Sequence, residues 1–329
     1  MNEFLAWLPL TMCIFGLGFA YGLPWRIHVA TAPAEISLNC APEKPFRHAL
    51  YSAPPIDRLA MLAWSLAVII GLCVPQDQPL LAASSLLPLA ILGGSLLAFR
   101  VTLTGCFQTR LIGGTARGVT LALLLVVAGV ISLSLALHLW PGFERHIVME
   151  ATTLGKAANP MTIAYSLDKL LAAVLLFLLV SPKIQCAQSI PPLVKPFFTL
   201  FVPLVAAFFL CANLLGVALD PKWEMAFVGF ILINLISTCL AEEIFFRLFI
   251  QETLERIRVP GLVAAGVSAG LFTLAHYSSQ VSAQYLVLVG LAGCLYAWSY
   301  SKTRAIEVPV LLHLLVNSVH LILFEYPFR

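Results

Sequence analysis

Apolar runs long enough to cross a bilayer recur from one end of the chain to the other. A spanning helix needs roughly 20 apolar residues, within about 17–25. Such runs lie at 4–24, 59–75, 79–99, 118–140, 167–181, 197–219, 225–250, 261–277, 282–299 and 305–324. Most of the connections between them carry Pro, Gly or charge, where helices end. Charged residues make up 11% of the chain, against about a quarter in a soluble domain. A surface so poor in charge cannot face water. The expected fold is therefore an all-α polytopic membrane protein, a bundle of about ten transmembrane helices with its chemistry in the C-terminal half. The fifth run is short, and 143–166 reads as an amphipathic or re-entrant piece, or as a simple loop.

The net charge of +3 is spread thinly, which excludes the concentrated basic face that nucleic acid requires. Lys and Arg collect in alternate connections, at Arg26–Arg58, Arg100–Arg117, Lys183–Lys195, Arg256–Arg258 and Lys302–Arg304. By the positive-inside rule these connections are cytoplasmic and both termini lie outside. The opening MNEFLAWLPLTMCIFGLGFAYG has neither a positive leader nor a small-residue cleavage site and reads as a retained span. The eight cysteines form no CxxC pair and lie mostly in apolar runs. They read as small buried hydrophobes, not as metal or disulfide positions.

The charge that does enter an apolar run is concentrated. AEEIFFRLFI, 241–250, follows the uncharged MAFVGFILINLISTCL. One charge at the centre of a spanning helix costs about 2.5–3.5 kcal/mol, so three within six residues need a reason. Glu243 and Arg247 are four apart and can pair on one helix face. Glu242 points about 100° away and has no local partner. Residues 1–195 carry few such embedded charges and 196–324 carry nearly all, which divides the chain into two domains at that point.

Two later runs supply candidates to meet Glu242. LFTLAHY carries Phe272 and His276 on one face, and LLHLLVNSV carries His313 and Asn317 on one face. Pro260 and Gly261 form a tight reversal. Glu242 lies about 18 residues before it and His276 about 16 after, so both sit roughly 25 Å from the turn. Antiparallel neighbours would hold them at one depth. His313 and Asn317 lie roughly 14–20 Å into the last span, close to that layer. Gly266 and Gly270 form a GxxxG that permits close helix contact. A carboxylate and an imidazole can bind and deprotonate water. A second imidazole and an amide can donate to a developing oxyanion.

The three motifs, Glu242-Glu243-Ile-Phe-Phe-Arg247, Phe272-Thr-Leu-Ala-His276 and His313-Leu-Leu-Val-Asn317, resemble the signature of the CPBP intramembrane proteases. That group contains the CaaX prenyl endopeptidases and the bacterial Abi-type bacteriocin-immunity proteins. The resemblance covers residues 196–324. It implies a CaaX-type intramembrane peptidase in which Glu242 activates water with His276. His313 and Asn317 would stabilise the oxyanion, while Glu243 and Arg247 order the site. The family is described both as metalloproteases and as metal-independent glutamate proteases. Glu242, His276 and His313 could ligate zinc, with water in the open position. They lie on three helices without an HExxH motif, which favours the cofactor-free reading. The implied substrate is a membrane-embedded or lipid-anchored protein. The segment from Ser166, SLDKLLAAVLLFLLV, resembles a piece found upstream of the motifs in some bacterial members, so the expected location is a bacterial inner (plasma) membrane.

Blander readings stand beside these. Glu243 and Arg247 can be a structural ion pair, and His313 and Asn317 can be helix-to-helix hydrogen bonds. Asn213 and Asn234 read as interhelical glue, and Asp168 and Lys169 as the boundary of a span. Embedded Glu and His also serve proton relays, which keeps a non-enzymatic scaffold, an immunity factor or a proton-coupled transporter as the alternative function. Paired half-helices in matching repeats, the mark of many transporters, are not seen in the sequence.

Overall fold

A computed structural model describes residues 82–104, 114–143, 146–153, 160–165, 167–180, 199, 201–224 and 226–326. The expected spans at 4–24 and 59–75, and the reading of the first residues, lie outside these. The described chain is mostly helical, with eight helices in two compact units. A ten-helix bundle is not what the described residues display.

The first unit contains α1 (Leu86–Thr104), α2 (Gly114–Ala136) and α3 (Leu167–Val180). Leu92, Leu96, Leu135, Leu170 and Leu175 are buried in it, while Val119, Leu123, Val126 and Val130 of α2 stay exposed. Asp168, expected only to mark a span boundary, does sit in the first turn of α3. It is also buried, and one of its oxygens lies 2.5 Å from His138 Nδ1. A buried carboxylate needs such a partner.

The second unit opens with a feature that corrects the all-helical expectation. Residues within 143–166 form an antiparallel hairpin of β1 (His146–Thr152) and β2 (Met161–Tyr165), with His146 opposite Tyr165 and Thr152 opposite Met161. The strands HIVMEAT and MTIAY are rich in β-branched residues, which favour a pleated backbone over a helix.

Five helices follow: α4 (Val202–Leu214), α5, α6 (Gly261–Ala275), α7 (Ala283–Thr303) and α8 (Glu307–Leu323). Helix α5 is composite. It runs through Ala226–Ile233, Asn234–Leu240, Ala241–Glu243, Ile244–Gln251 and Glu252–Arg256. The second and fourth of these pieces are π-helical, so wide turns flank the short α-helical step that holds Glu242 and Glu243. The helix closes where Arg258 takes a left-handed conformation (φ 71°) and Pro260 caps α6, a common way to end one helix and start the next.

Among the described residues, three helical stretches are long and apolar enough to cross a membrane: Gly118–Ala136, Phe227–Glu255 and Ala283–Thr303. Shorter apolar helices include Gly261–Ala275 and Glu307–Leu323. Leu262, Val263, Leu271 and Leu274 of α6 are exposed, an apolar face suited to lipid. The chain is an integral membrane protein.

The core of the second unit gathers Phe201, Val205, Phe209, Phe246, Phe272, Leu288, Tyr296, Leu312 and Val316. The close approach of α6 and α7 is not made by Gly266 and Gly270, as the GxxxG reading expected. Both are exposed, and a Cβ on either would meet nothing within 4 Å. It is made from the α7 side: a Cβ on Gly293 would lie 3.1 Å from the Phe272 ring and 3.4 Å from the Ala269 carbonyl oxygen.

Candidate active site

The site is built from four helices, and each motif arrives on its own. Helix α5 brings Glu242, Glu243 and Arg247. The end of α6 brings Phe272 and His276. Helix α8 brings His313 and Asn317. Helix α7 adds Tyr296, which no sequence motif signals.

Glu243 and Arg247 form the expected pair, with Oε2 2.9 Å from Nε and both side chains fully buried. Arg247 also donates to Ser268 Oγ at 2.9 Å, and that hydroxyl donates to the Phe246 carbonyl at 2.8 Å. The rings of Phe246, Phe272 and Tyr296 pack around the guanidinium at 5.4–5.9 Å. A charge removed from water is held by just such pairing and π-faces. Ser268 and Tyr296 were missed in the sequence, since a lone Ser or Tyr within an apolar helix carries no local signal.

The second oxygen of Glu243 reaches across to α8, where Oε1 lies 2.9 Å from His313 Nδ1. Glu243 therefore bridges Arg247 and His313. The His313 ring is stacked on Tyr296, with centroids 4.7 Å apart and planes 19° apart. Its orientation is set by one hydrogen bond and one ring face, and Nε2 points the other way, towards Glu242.

His276 is fixed differently. It caps α6, where the last carbonyls lack helical N–H partners. Its Nδ1 lies 2.8 Å from the Phe272 carbonyl oxygen, so Nδ1 carries the proton and donates. The ring also lies against the Phe272 ring at 4.5 Å. Phe272 thus does more than pack: its carbonyl settles which nitrogen of His276 is free.

The two imidazoles converge on one oxygen. Glu242 Oε2 is 3.9 Å from His276 Nε2 and 3.9 Å from His313 Nε2. That is too long for a direct hydrogen bond and is a gap a single water can bridge. Zinc asks for something tighter. Donors at about 2.0–2.1 Å in a tetrahedron sit about 3.3–3.4 Å apart, and no metal-holding group of three His, Cys, Asp or Glu occurs among the described residues. As placed, Glu242 stands further from the two imidazole nitrogens than the ligands of a closed zinc site stand from one another.

Asn317 lies one turn beyond His313 and turns to a different partner. Its Nδ2 donates to Asn234 Oδ1 at 2.9 Å, and Cys239 Sγ lies 2.9 Å from the same oxygen. The interhelical contact expected of Asn234 is therefore present, and it is made to Asn317 itself. Asn213, the other such candidate, donates to the Val217 carbonyl of the loop that follows its own helix.

Beside these groups lies a cavity of about 1000 Å³. His276, His313, Asn317 and Asn234 line its polar side, Phe208, Phe209 and Phe230 line an apolar side, and Thr162 of β2 reaches it from the hairpin.

At the other end of the unit, Glu252, Glu255 and Arg304 form an ion cluster, with Tyr300 donating to Glu252. Burial lowers the pKa of Arg304, and the two carboxylates more than offset this, leaving it raised.

Neither a curated protein nor a solved structure matches the chain. Residues 224–319 match the family model of the Type II CAAX prenyl endopeptidase Rce1-like group, and all three motifs fall inside that match. The segment that carries the site is thereby shown to resemble the CAAX-type peptidases, in agreement with the CPBP signature in its motifs.

Proposed function

We propose that the protein is a metal-free, glutamate-type intramembrane endopeptidase that cleaves a membrane-associated protein substrate. The observation that carries this reading is the placement of Glu242 Oε2 at 3.9 Å from both imidazole Nε2 atoms, next to a cavity large enough for a peptide segment.

In this reading a water sits between Glu242 and His276. It donates to the carboxylate and to the free Nε2 of His276, whose other nitrogen is committed to Phe272. The water oxygen attacks the scissile carbonyl carbon as its proton passes to the Glu242–His276 pair. The carbonyl oxygen becomes an oxyanion. His313 donates to it from Nε2 while Glu243 accepts from Nδ1, and Asn317 donates its second N–H. Collapse of the tetrahedral intermediate breaks the C–N bond, and the stored proton goes to the leaving amine. The buried Glu243–Arg247 pair holds His313 in place instead of touching substrate.

The catalytic domain in this reading spans 196–324, and the hairpin of β1 and β2 joins it from within the preceding 1–195. The apolar side of the cavity suits a lipidated or membrane-embedded chain, and the matched family points to a prenylated one. The location is a bacterial plasma membrane.

The test compares new protein termini in membrane fractions of cells carrying the wild type with those carrying Glu242→Gln at equal expression. Termini that appear only with the wild type support the reading and identify the substrate. Identical sets of termini overturn it.

A further inference from the structure

We propose that Asn234 is a second amide donor on the oxyanion side of the site, facing the substrate next to Asn317. This rests on the endopeptidase reading and extends it to a residue outside all three motifs.

A primary amide has one acceptor oxygen and two N–H donors, and the two ends are told apart by their neighbours. The Asn234 oxygen is saturated. It accepts from Asn317 Nδ2 at 2.9 Å, and the Cys239 thiol lies on it at 2.9 Å. These contacts turn the NH2 end of Asn234 away from Asn317 and Cys239. Asn234 is a lining residue of the cavity, together with Asn317, His313 and His276. It is 8% exposed, and among the described residues its Nδ2 meets no acceptor. A donor group almost withdrawn from solvent and opening into a cavity is poised for a ligand's oxygen.

The arrangement also accounts for Asn317. Its Nδ2 is held by Asn234 Oδ1 at 2.9 Å, with a longer contact to Cys239 Sγ at 3.8 Å, and these two contacts fix the plane of its amide. The two side chains then present neighbouring N–H groups to one oxygen, or to successive backbone carbonyls of an extended peptide. A helix contact made only for packing would not leave an amide NH2 at the cavity wall.

The experiment uses the purified full-length protein in lipid nanodiscs. Its probe is a peptide spanning a Glu242-dependent cleavage site found in the terminus comparison. Asn234→Asp keeps the acceptor for Asn317 and replaces the donor. Asn234→Ala removes both. Loss of one oxyanion-hole donor typically lowers kcat by about 10²–10³-fold. We expect Asn234→Asp to fold with an unchanged Tm, to lose at least about 10²-fold in kcat and to keep KM within about threefold. Asn234→Ala should fall at least tenfold, and in an Asn317→Ala background its further loss should be much smaller, since the two amides act as one unit.

A kcat within about threefold of wild type for either folded variant overturns the proposal. So does failure of both variants to fold, which assigns Asn234 to packing alone. Glu242→Gln is run alongside. If it cleaves like the wild type, the endopeptidase reading fails. If it is inactive while Asn234→Asp is not, only this inference fails.

Discussion

The carboxylate of Glu243 on α5 meets the imidazole of His313 on α8 at 2.9 Å, seventy residues away in sequence. Its other oxygen holds Arg247. Neutralising Glu243 by Glu243→Leu strands a buried guanidinium and releases the ring. Breaking one side of a buried ion pair costs about 3–5 kcal/mol. A clear drop in Tm is expected, together with loss of cleavage. The double variant Glu243→Leu/Arg247→Met removes both charges and should recover much of the Tm. Cleavage should stay lost, because His313 still lacks its anchor. Thermal unfolding in detergent and the cleavage assay read the two effects separately.

Glu242→Gln is near-isosteric and leaves the His276 and His313 anchors untouched. General-base loss costs about 10²–10⁴-fold, so cleavage should fall by that much with the Tm unchanged. A Tm that falls in step with activity would return Glu242 to a structural role.

Gly293 and Gly266 separate the true helix contact from the apparent one. Gly293→Leu drives a side chain into the Phe272 ring and the Ala269 backbone. Overpacking of this kind costs about 1–3 kcal/mol. Phe272 carries the carbonyl that orients His276, so activity should fall more than stability. Gly266→Leu points into open space and should leave both near wild type. The pair of variants is compared by Tm and by kcat.

Chelators supply the fourth test. With Glu242 and His276 acting through water and His313 donating to the oxyanion, EDTA or 1,10-phenanthroline should leave cleavage unchanged, and elemental analysis should find no stoichiometric zinc. One zinc per chain, with activity lost on chelation and restored by zinc, would replace the glutamate mechanism with a metal one.

Much of this site is readable in one dimension, because helices convert residue counts into depth. Counting outward from Pro260 and Gly261 places Glu242 and His276 level, and the structure brings them to 3.9 Å. The i, i+4 spacing likewise announces the Glu243–Arg247 pair. Counting fails where the partner sits on a distant helix with no shared turn to measure from. Asn234 and Asn317 are 83 residues apart, and nothing local to either says they touch. Tyr296 and His313 do share a turn and lie about equally far from Arg304, but a lone Tyr in an apolar helix gives no reason to count from it. Gly266 and Gly270 mislead because small-residue spacing reports that a close approach is possible, not which face of the helix makes it. The stretch 143–166 reads in sequence as an amphipathic or re-entrant piece or a loop, because the two strands of its hairpin are too short to stand out as apolar runs.

The wide turns of α5 also bear on how this helix tolerates change in its length. In a plain α-helix, residues eight apart differ by about 80° in direction. A π stretch absorbs roughly one extra residue. The rotation from Asn234 to Glu242 then equals about seven α-helical steps, near 700°, within about 20° of two full turns. Both side chains can thus share one face. Deleting Ser237 from the Asn234–Leu240 stretch would let the turn tighten to ordinary pitch while keeping that phase. Inserting a residue there has no slack to draw on and would swing Glu242 away from its histidines. Length variation in this helix should therefore be asymmetric, with losses tolerated at the π turn and gains excluded.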